Sequence, residues 1–207
     1  MTNRKLKRYL HIKGAFDRIF SLIALIVLSP LILILALLIF LDDPHGSPFY
    51  TQNRVGKDGV PFRMYKLRTM RKGAEEELER LMEFNEMSGP PFKIKGDERI
   101  TRVGRVLRET GLDEILQFLN VLKGDMSVVG PRPPLPKEVE QYTEHQMKRL
   151  SVLPGITCYW QIHEERNQMP FDEWVALDLE YIARRSVSTD LRIMFSTIGA
   201  MVRRQGQ

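Results

Sequence analysis

Residues 19–41, IFSLIALIVLSPLILILALLIFL, are apolar except for Ser21 and Ser29, and this run restricts the fold more than any other stretch of the chain. As one helix it would reach about 35 Å at about 1.5 Å per residue, enough for a hydrocarbon core of about 30 Å. Its length, and the lack of a small-residue cleavage site after it, argue against a cleaved signal peptide. Ser29-Pro30 falls midway. Proline removes a helical hydrogen bond and clashes with the carbonyl four residues back, and a neighbouring serine can bond to the backbone and favour a bend. Each arm would then run only about 16 Å.

Charge separates two readings. Arg4, Lys5, Lys7, Arg8, Lys13 and Arg18 precede the run; Arg54, Lys57, Arg63, Lys66, Arg68, Arg71 and Lys72 follow it. Both flanks are cytoplasmic by the positive-inside rule, whereas a spanning helix has one cytoplasmic end. A helix–break–helix that dips into one leaflet and returns satisfies both flanks, provided that the polar backbone freed at the break is satisfied locally, a task suited to Ser29. The alternative is a kinked spanning helix.

The remaining residues read as a globular unit. Of the 207 residues 43% are hydrophobic and 28% charged, and the net charge of +5 favours an anionic partner such as nucleic acid, a phosphorylated substrate or lipid. One cysteine, Cys158, excludes an internal disulfide framework, and four histidines show no zinc-ligand spacing. Residues 49–55 and 60–67 read as strands around an Asp58-Gly59 turn. Residues 73–87 read as an acidic amphipathic helix ended by Ser88-Gly89-Pro90-Pro91. A helix is expected from near Leu112 to a stop at Gly124. MSVVG reads as a short strand, PRPPLP as extended, residues 137–150 as a surface helix, 156–162 as a strand and 171–185 as a helix. The tail, residues 189–204, has an apolar face that fits either the lipid interface or the protein core.

The chemistry concentrates around Asp113 and Glu114, in GLDEIL. As neighbours on a helix they point about 100° apart, so each needs its own role. Acids at a helix start also serve as caps. Around them lie Arg99, Arg102, Arg105 and Arg108, then Arg132 between two prolines, with Lys66 and Arg68 ending the second strand. Guanidinium groups bind phosphate by parallel hydrogen bonds. Carboxylates among such cations suggest a magnesium–diphosphate site, although each arginine alone also fits a solvated or lipid-facing surface. Neither GxxxxGKS nor GxGxxG occurs.

The run LDEILQFLNVLKGDMSVVGPRP resembles the core signature of the bacterial sugar transferases, the monotopic phosphoglycosyl transferases. YTQNRVG, FRMYKLRTM, DERITRVGRVLR, LPGITCYWQI and DLEYIARRS match its other blocks in order, and so does the Ser-Pro break, over roughly residues 13–200. The resemblance implies an α/β fold: a small catalytic domain (42–207) with a C-terminal amphipathic helix, carried on a basic N-terminus and re-entrant membrane hairpin (1–41). It implies transfer of a sugar 1-phosphate from a UDP-sugar to a polyprenyl (undecaprenyl) phosphate with Mg²⁺, releasing UMP and starting a surface glycan at the inner face of the bacterial cytoplasmic membrane. Asp113 would be the nucleophile, and Glu114 would assist with metal or proton transfer. Arg108 and Arg132 would bind phosphate, Lys66 and Arg68 matching by block only, and Ser29 and Pro30 would form the membrane break. A minimal catalytic form is expected, in contact with membrane lipids; a homodimer is left open.

The sequence departs from the family pattern at 158–168, where CYWQIHEERNQ carries bulky Cys158-Tyr159 and a longer loop with Arg166 in place of the usual arginine, so sugar identity does not transfer. A basic membrane adaptor would explain charge and hairpin but not the ordered blocks. Nucleic-acid binding ranks last, because 26 acids interleave with the positive residues.

Overall fold

The computed structural model describes residues 3–74, 76–77, 96–162 and 169–202. Helix α1 (Asn3–Asp42) takes up the apolar run and passes through Pro30 without interruption. The break expected at Ser29-Pro30 is therefore not a break in helical structure. Pro30 has no N–H for the Ile26 carbonyl; the Ser29 hydroxyl donates to that same carbonyl at 2.8 Å instead. The acceptor that proline orphans is satisfied by the residue beside it.

The helix is long and apolar enough to cross a membrane. Its buried residues, Tyr9, Asp17, Ser21, Leu35 and Ile39, lie towards its two ends, and none from 22 to 34 is buried. Val27 and Leu33 are 68% and 70% exposed. Each such side chain gains about 1.5–3 kcal/mol on leaving water. So long an unburied apolar stretch calls for an apolar surrounding.

β1 (Phe49–Val55) and β2 (Pro61–Leu67) pair antiparallel. The turn between them forms at Asp58-Gly59, both at positive φ, as expected of that dipeptide. After β2 come α2 (Arg102–Thr110), α3 (Gln117–Lys123) and β3 (Ser127–Val129). α3 ends at Gly124 in the left-handed conformation, as expected, but the helix foreseen from Leu112 is split. Leu112–Glu114 is instead a separate 3₁₀ turn: Gly111, at φ 70°, stops α2 immediately before it, and Ile115 and Leu116 lie between it and α3.

The single surface helix expected at 137–150 is two short helices, α4 (Pro136–Val139) and α5 (Glu144–Met147), followed by a 3₁₀ turn. Thr143 starts the second: its side chain accepts from Gln146 N–H while the Gln146 side chain returns to Thr143 N–H. The strand expected at 156–162 shortens to β4 (Gly155–Thr157), parallel to β3. A Cβ on Gly155 would sit 2.1 Å from Gly130 N, so these chains approach closer than any side chain permits. α6 (Phe171–Arg184) and α7 (Val187–Val202) are the last described elements. The tail docks on the core through Ile193, which is fully buried, and leaves Phe195 70% exposed. The acidic helix expected at 73–87, with its stop, lies almost wholly outside the described residues, as do Arg166 and the tail's last arginines.

The described residues are mixed helix and sheet, with two separate two-stranded sheets and three apolar clusters among them. One joins Leu35 and Ile39 of α1 to Leu67, Leu107 and Leu116. At its other end α1 is held by polar groups: Tyr9 and Lys13 bond Asp190 of α7 at 2.8 and 3.0 Å, and Ser127 bonds Asp17 at 2.6 Å. Asp42 closes the arrangement by accepting from the Val103 N–H in the first turn of α2.

Candidate active site

Asp113 and Glu114 stand on the 3₁₀ turn Leu112–Glu114, with Asp113 buried. A turn with three residues per revolution points such neighbours about 120° apart, so the two carboxyls meet different surroundings. The turn is held from both sides. Leu112 before the pair and Leu116 after it pack into the cluster that contains Leu35 and Ile39 of α1.

β2 supplies the cation. Lys66 Nζ donates to Glu114 Oε1 at 2.7 Å and lies 3.7 Å from Asp113 Oδ2. Its placement depends on Asn120 of α3, which is fully buried. The Asn120 amide accepts from Tyr65 N–H at 3.0 Å and donates to the Arg63 carbonyl at 2.7 Å, as a neighbouring strand would. α3 thereby fixes the backbone next to Lys66 against the segment that carries the two acids.

Burial pushes the Asp113 carboxyl up, and the charge of Glu114 adds to this, against the pull of Lys66 and Arg108. For Glu114 burial also acts upward, but Lys66, Arg132 and Arg54 outweigh it and hold the carboxyl below its usual range. The environment thus splits the pair into a firmly ionised Glu114 and a more basic Asp113.

Arg108 donates from Nε to Thr69 Oγ1 at 2.9 Å. Burial lowers its pKa while the charge of Asp113 opposes the shift. It reaches this position because Gly104, one turn earlier on α2, lies on the Thr69 backbone, where a Cβ would come 2.0 Å from the carbonyl oxygen. Arg132 is half-buried, with Nη1 3.5 Å from Glu138 Oε2; that oxygen also accepts from Leu135 N–H at 2.8 Å.

The structure gathers Lys66, Arg108 and Arg132 around the dyad but not Arg68. The Arg68 guanidinium pairs with the Asp43 carboxylate and donates to the Asp43 and Gly46 carbonyls, tying down the loop that leaves α1. Arg99 is bound to Asp97 at 2.6 Å, while Arg102 and Arg105 are exposed. Ser29 and Pro30 lie on the unburied stretch of α1. Three residues of the site were not singled out from the sequence: Arg54, Asn120 and Glu138. The one available signal was Asn120, a polar residue inside the apolar run ILQFLNVL.

Among the described residues no group of three or more His, Cys, Asp or Glu is placed to hold a metal ion. The dyad offers two carboxylates, a set that suits magnesium when phosphate oxygens and water complete its shell.

A sequence model described as bacterial sugar transferase matches residues 8–204. The galactosyl transferase CpsE of Streptococcus agalactiae serotype III (strain NEM316) is 44% identical over 192 residues, covering 93% of this chain and 41% of that protein. The exopolysaccharide production protein ExoY of Rhizobium meliloti (strain 1021) is 38% identical over 198 residues, 94% of this chain and 87% of its own. The undecaprenyl-phosphate galactose phosphotransferase of Salmonella typhimurium (strain LT2) is 38% identical over 199 residues, 94% of this chain and 41% of its own. The chain thus spans less than half of two of these relatives and most of the third. With the match enclosing both the dyad and the cations around it, this chain belongs to the bacterial sugar transferase family.

Proposed function

We propose that the chain transfers a sugar 1-phosphate from a UDP-sugar to undecaprenyl phosphate or a similar polyprenyl phosphate, releasing UMP, as the first membrane step of surface glycan assembly. The observation that carries this reading is the placement of the dyad: Leu112 and Leu116 bracket it and pack on the apolar end of α1, with Lys66 across both acids. An acceptor phosphate at the headgroup level then meets the carboxylates without its lipid leaving the bilayer. The name of the Salmonella relative supports the choice of acceptor.

In the first half-reaction an Asp113 carboxylate oxygen attacks the phosphorus that bears the sugar. The bond to UMP breaks, and UMP leaves with its electron pair. An acceptor phosphate oxygen then attacks the same phosphorus, releasing the Asp113 carboxylate and leaving the sugar on a polyprenyl diphosphate. The raised basicity of Asp113 favours attack, and Lys66, Arg108 and Arg132 offset charge on the phosphoryl oxygens. Magnesium held by Asp113 and Glu114 would further neutralise the diphosphate.

We also propose that α1 enters and leaves one leaflet, bending at Ser29-Pro30 at the inner face of the cytoplasmic membrane. The support is topological. Tyr9, Lys13 and Asp17 before the apolar run bind the same domain as Leu35, Ile39 and Asp42 at its end. A spanning helix would leave these flanks on opposite sides.

UMP release across a panel of UDP-sugars with polyprenyl phosphate and Mg²⁺ tests the reaction, and mass spectrometry of donor-trapped enzyme tests the intermediate. The expected result is a phosphosugar adduct on Asp113, absent in Asp113→Asn. Turnover retained by purified Asp113→Asn would overturn the nucleophile assignment.

A further inference from the structure

Four arginines are buried in the described structure: Arg54, Arg68, Arg99 and Arg149. Three have a carboxylate partner, Arg68 with Asp43, Arg99 with Asp97 and Arg149 with Asp178. Arg54 is the exception. Its hydrogen bonds run to neutral acceptors: Nε and Nη2 to Gln52 Oε1 at 3.1 and 2.6 Å, and Nη1 to the Pro133 carbonyl at 3.0 Å. Among the described residues no carboxylate lies within ion-pair distance of it, although a buried charge is costly unless paired.

Its surroundings increase that cost. Burial and the like charge of Arg132 push the Arg54 guanidinium down to about 9. The two arginines are held together by backbone. Arg54 bonds the Pro133 carbonyl and Val55 N–H bonds the Pro134 carbonyl at 2.9 Å, so the end of β1 grips the proline strap that carries Arg132. The acids whose fields reach Arg54 stand outside pairing distance: Glu138 Oε2 is held by Arg132 and Leu135 N–H while its Oε1 is buried without a hydrogen-bond partner, and Glu114 is held by Lys66. Of about five guanidinium N–H groups, those toward Gln52 and Pro133 are in use and the others are available.

We propose that Arg54 is a phosphate-binding residue, forming with Arg132 a paired-guanidinium seat beside Glu114 that an incoming phosphate or diphosphate completes. A multi-oxygen anion accepts from both guanidiniums and supplies the counter-charge that the protein withholds from Arg54. Arg132, the more exposed of the two, forms the entrance, and the Gln52 amide is the neutral group that yields. The proposal rests on the transferase reading only for the identity of the natural anion, the donor diphosphate.

Pyrophosphate is the probe. Calorimetric titration and thermal unfolding at matched ionic strength would compare wild type with Arg54→Gln and Arg54→Lys. Wild type is expected to bind saturably and gain Tm. Arg54→Gln should weaken binding about tenfold or more, Arg54→Lys should recover part of it, and Arg54→Gln should keep or raise the ligand-free Tm because it removes an unpaired buried charge. Unchanged affinity in Arg54→Gln, or a wild-type shift no larger than chloride gives, overturns the proposal. Arginine Nε NMR of wild type decides the matter if neither variant folds: the Arg54 and Arg132 signals should move together to saturation, and a stationary Arg54 signal refutes the seat. No donor sugar or acceptor is present, so a chain that released no UMP would still test this site.

Discussion

Lys66 donates to Glu114 at 2.7 Å and stands 3.7 Å from Asp113, so one ammonium on β2 serves both acids of the 3₁₀ turn. It meets the two unequally: it hydrogen-bonds Glu114 and acts on Asp113 through its charge alone. The difference in basicity between the neighbours follows from this asymmetry together with the charges of Arg132 and Arg54, which act on Glu114.

Lys66→Met should lower UMP release about 10²- to 10³-fold, the usual cost of losing one electrostatic donor. Lys66 lowers both carboxyls, so the acid limb of the pH–rate profile should also move to higher pH. An unmoved limb would mean that this ammonium does not set the ionisation of the dyad.

The opposite shift is expected for Glu114→Gln. Glu114 raises Asp113, so its neutralisation should carry the residual acid limb to lower pH. Stability gives an independent readout. A carboxyl whose folded pKa is raised favours folding while protonated, and loses that advantage as pH climbs from its unfolded value of about 3.9 through the folded one. Above its folded pKa the ionised Asp113 opposes folding, so there Asp113→Asn should have an equal or higher Tm, and the difference should vanish in strong acid.

Gly104→Ala should push α2 off the Thr69 carbonyl, since its Cβ would fall 2.0 Å from that oxygen. A loss of about 1–3 kcal/mol in chemical denaturation is expected, together with weaker phosphate binding as Arg108 loses Thr69. A variant of wild-type stability would show that the helix tolerates the shift.

Asn120→Leu should leave Tyr65 N–H and the Arg63 carbonyl without their partners. Each unsatisfied buried group costs about 1–3 kcal/mol. Hydrogen exchange at the Tyr65 amide should accelerate, and the variant should share the raised acid limb of Lys66→Met. Protected exchange at Tyr65 would assign the β2 register to something other than Asn120.

Membrane topology has a direct readout because the native Cys158 is buried. Lys7→Cys and Lys57→Cys should both resist an impermeant thiol reagent in intact cells and react after lysis. Labelling of Lys7→Cys alone from outside would establish a spanning helix. Ser29→Ala leaves the Ile26 carbonyl without the hydroxyl that replaces the missing proline N–H, and should lower the yield of membrane-inserted protein.

The sequence by itself determined the elements whose causes are local. The apolar run 19–41 dictated a lipid-compatible helix, Asp58-Gly59 set the β1–β2 turn, and Gly124 ended α3. The ordered blocks around Asp113 and Glu114 carried the family, which the match over residues 8–204 shows. Where one local signal overrode another, the reading failed. Residues 137–150 have helical composition throughout, yet the Thr143–Gln146 capping box starts a second helix, and the dyad stands on its own 3₁₀ turn between Gly111 and α3.

Only the tertiary structure decided which cations serve the acids. Lys66 and Arg68 lie two residues apart on and just beyond β2; one reaches the dyad and the other closes the loop at Asp43 and Gly46. Arg54 stands in the YTQNRVG block, but nothing there gives it a role, because its significance is the lack of a carboxylate partner in the described structure, and that depends on how β1 meets the Pro131–Pro134 strap. Charge interactions act through space over distances set by packing. Residues 48 positions apart, such as Lys66 and Glu114, become partners only once Asn120 and the leucines around the dyad bring β2, the 3₁₀ turn and α1 together.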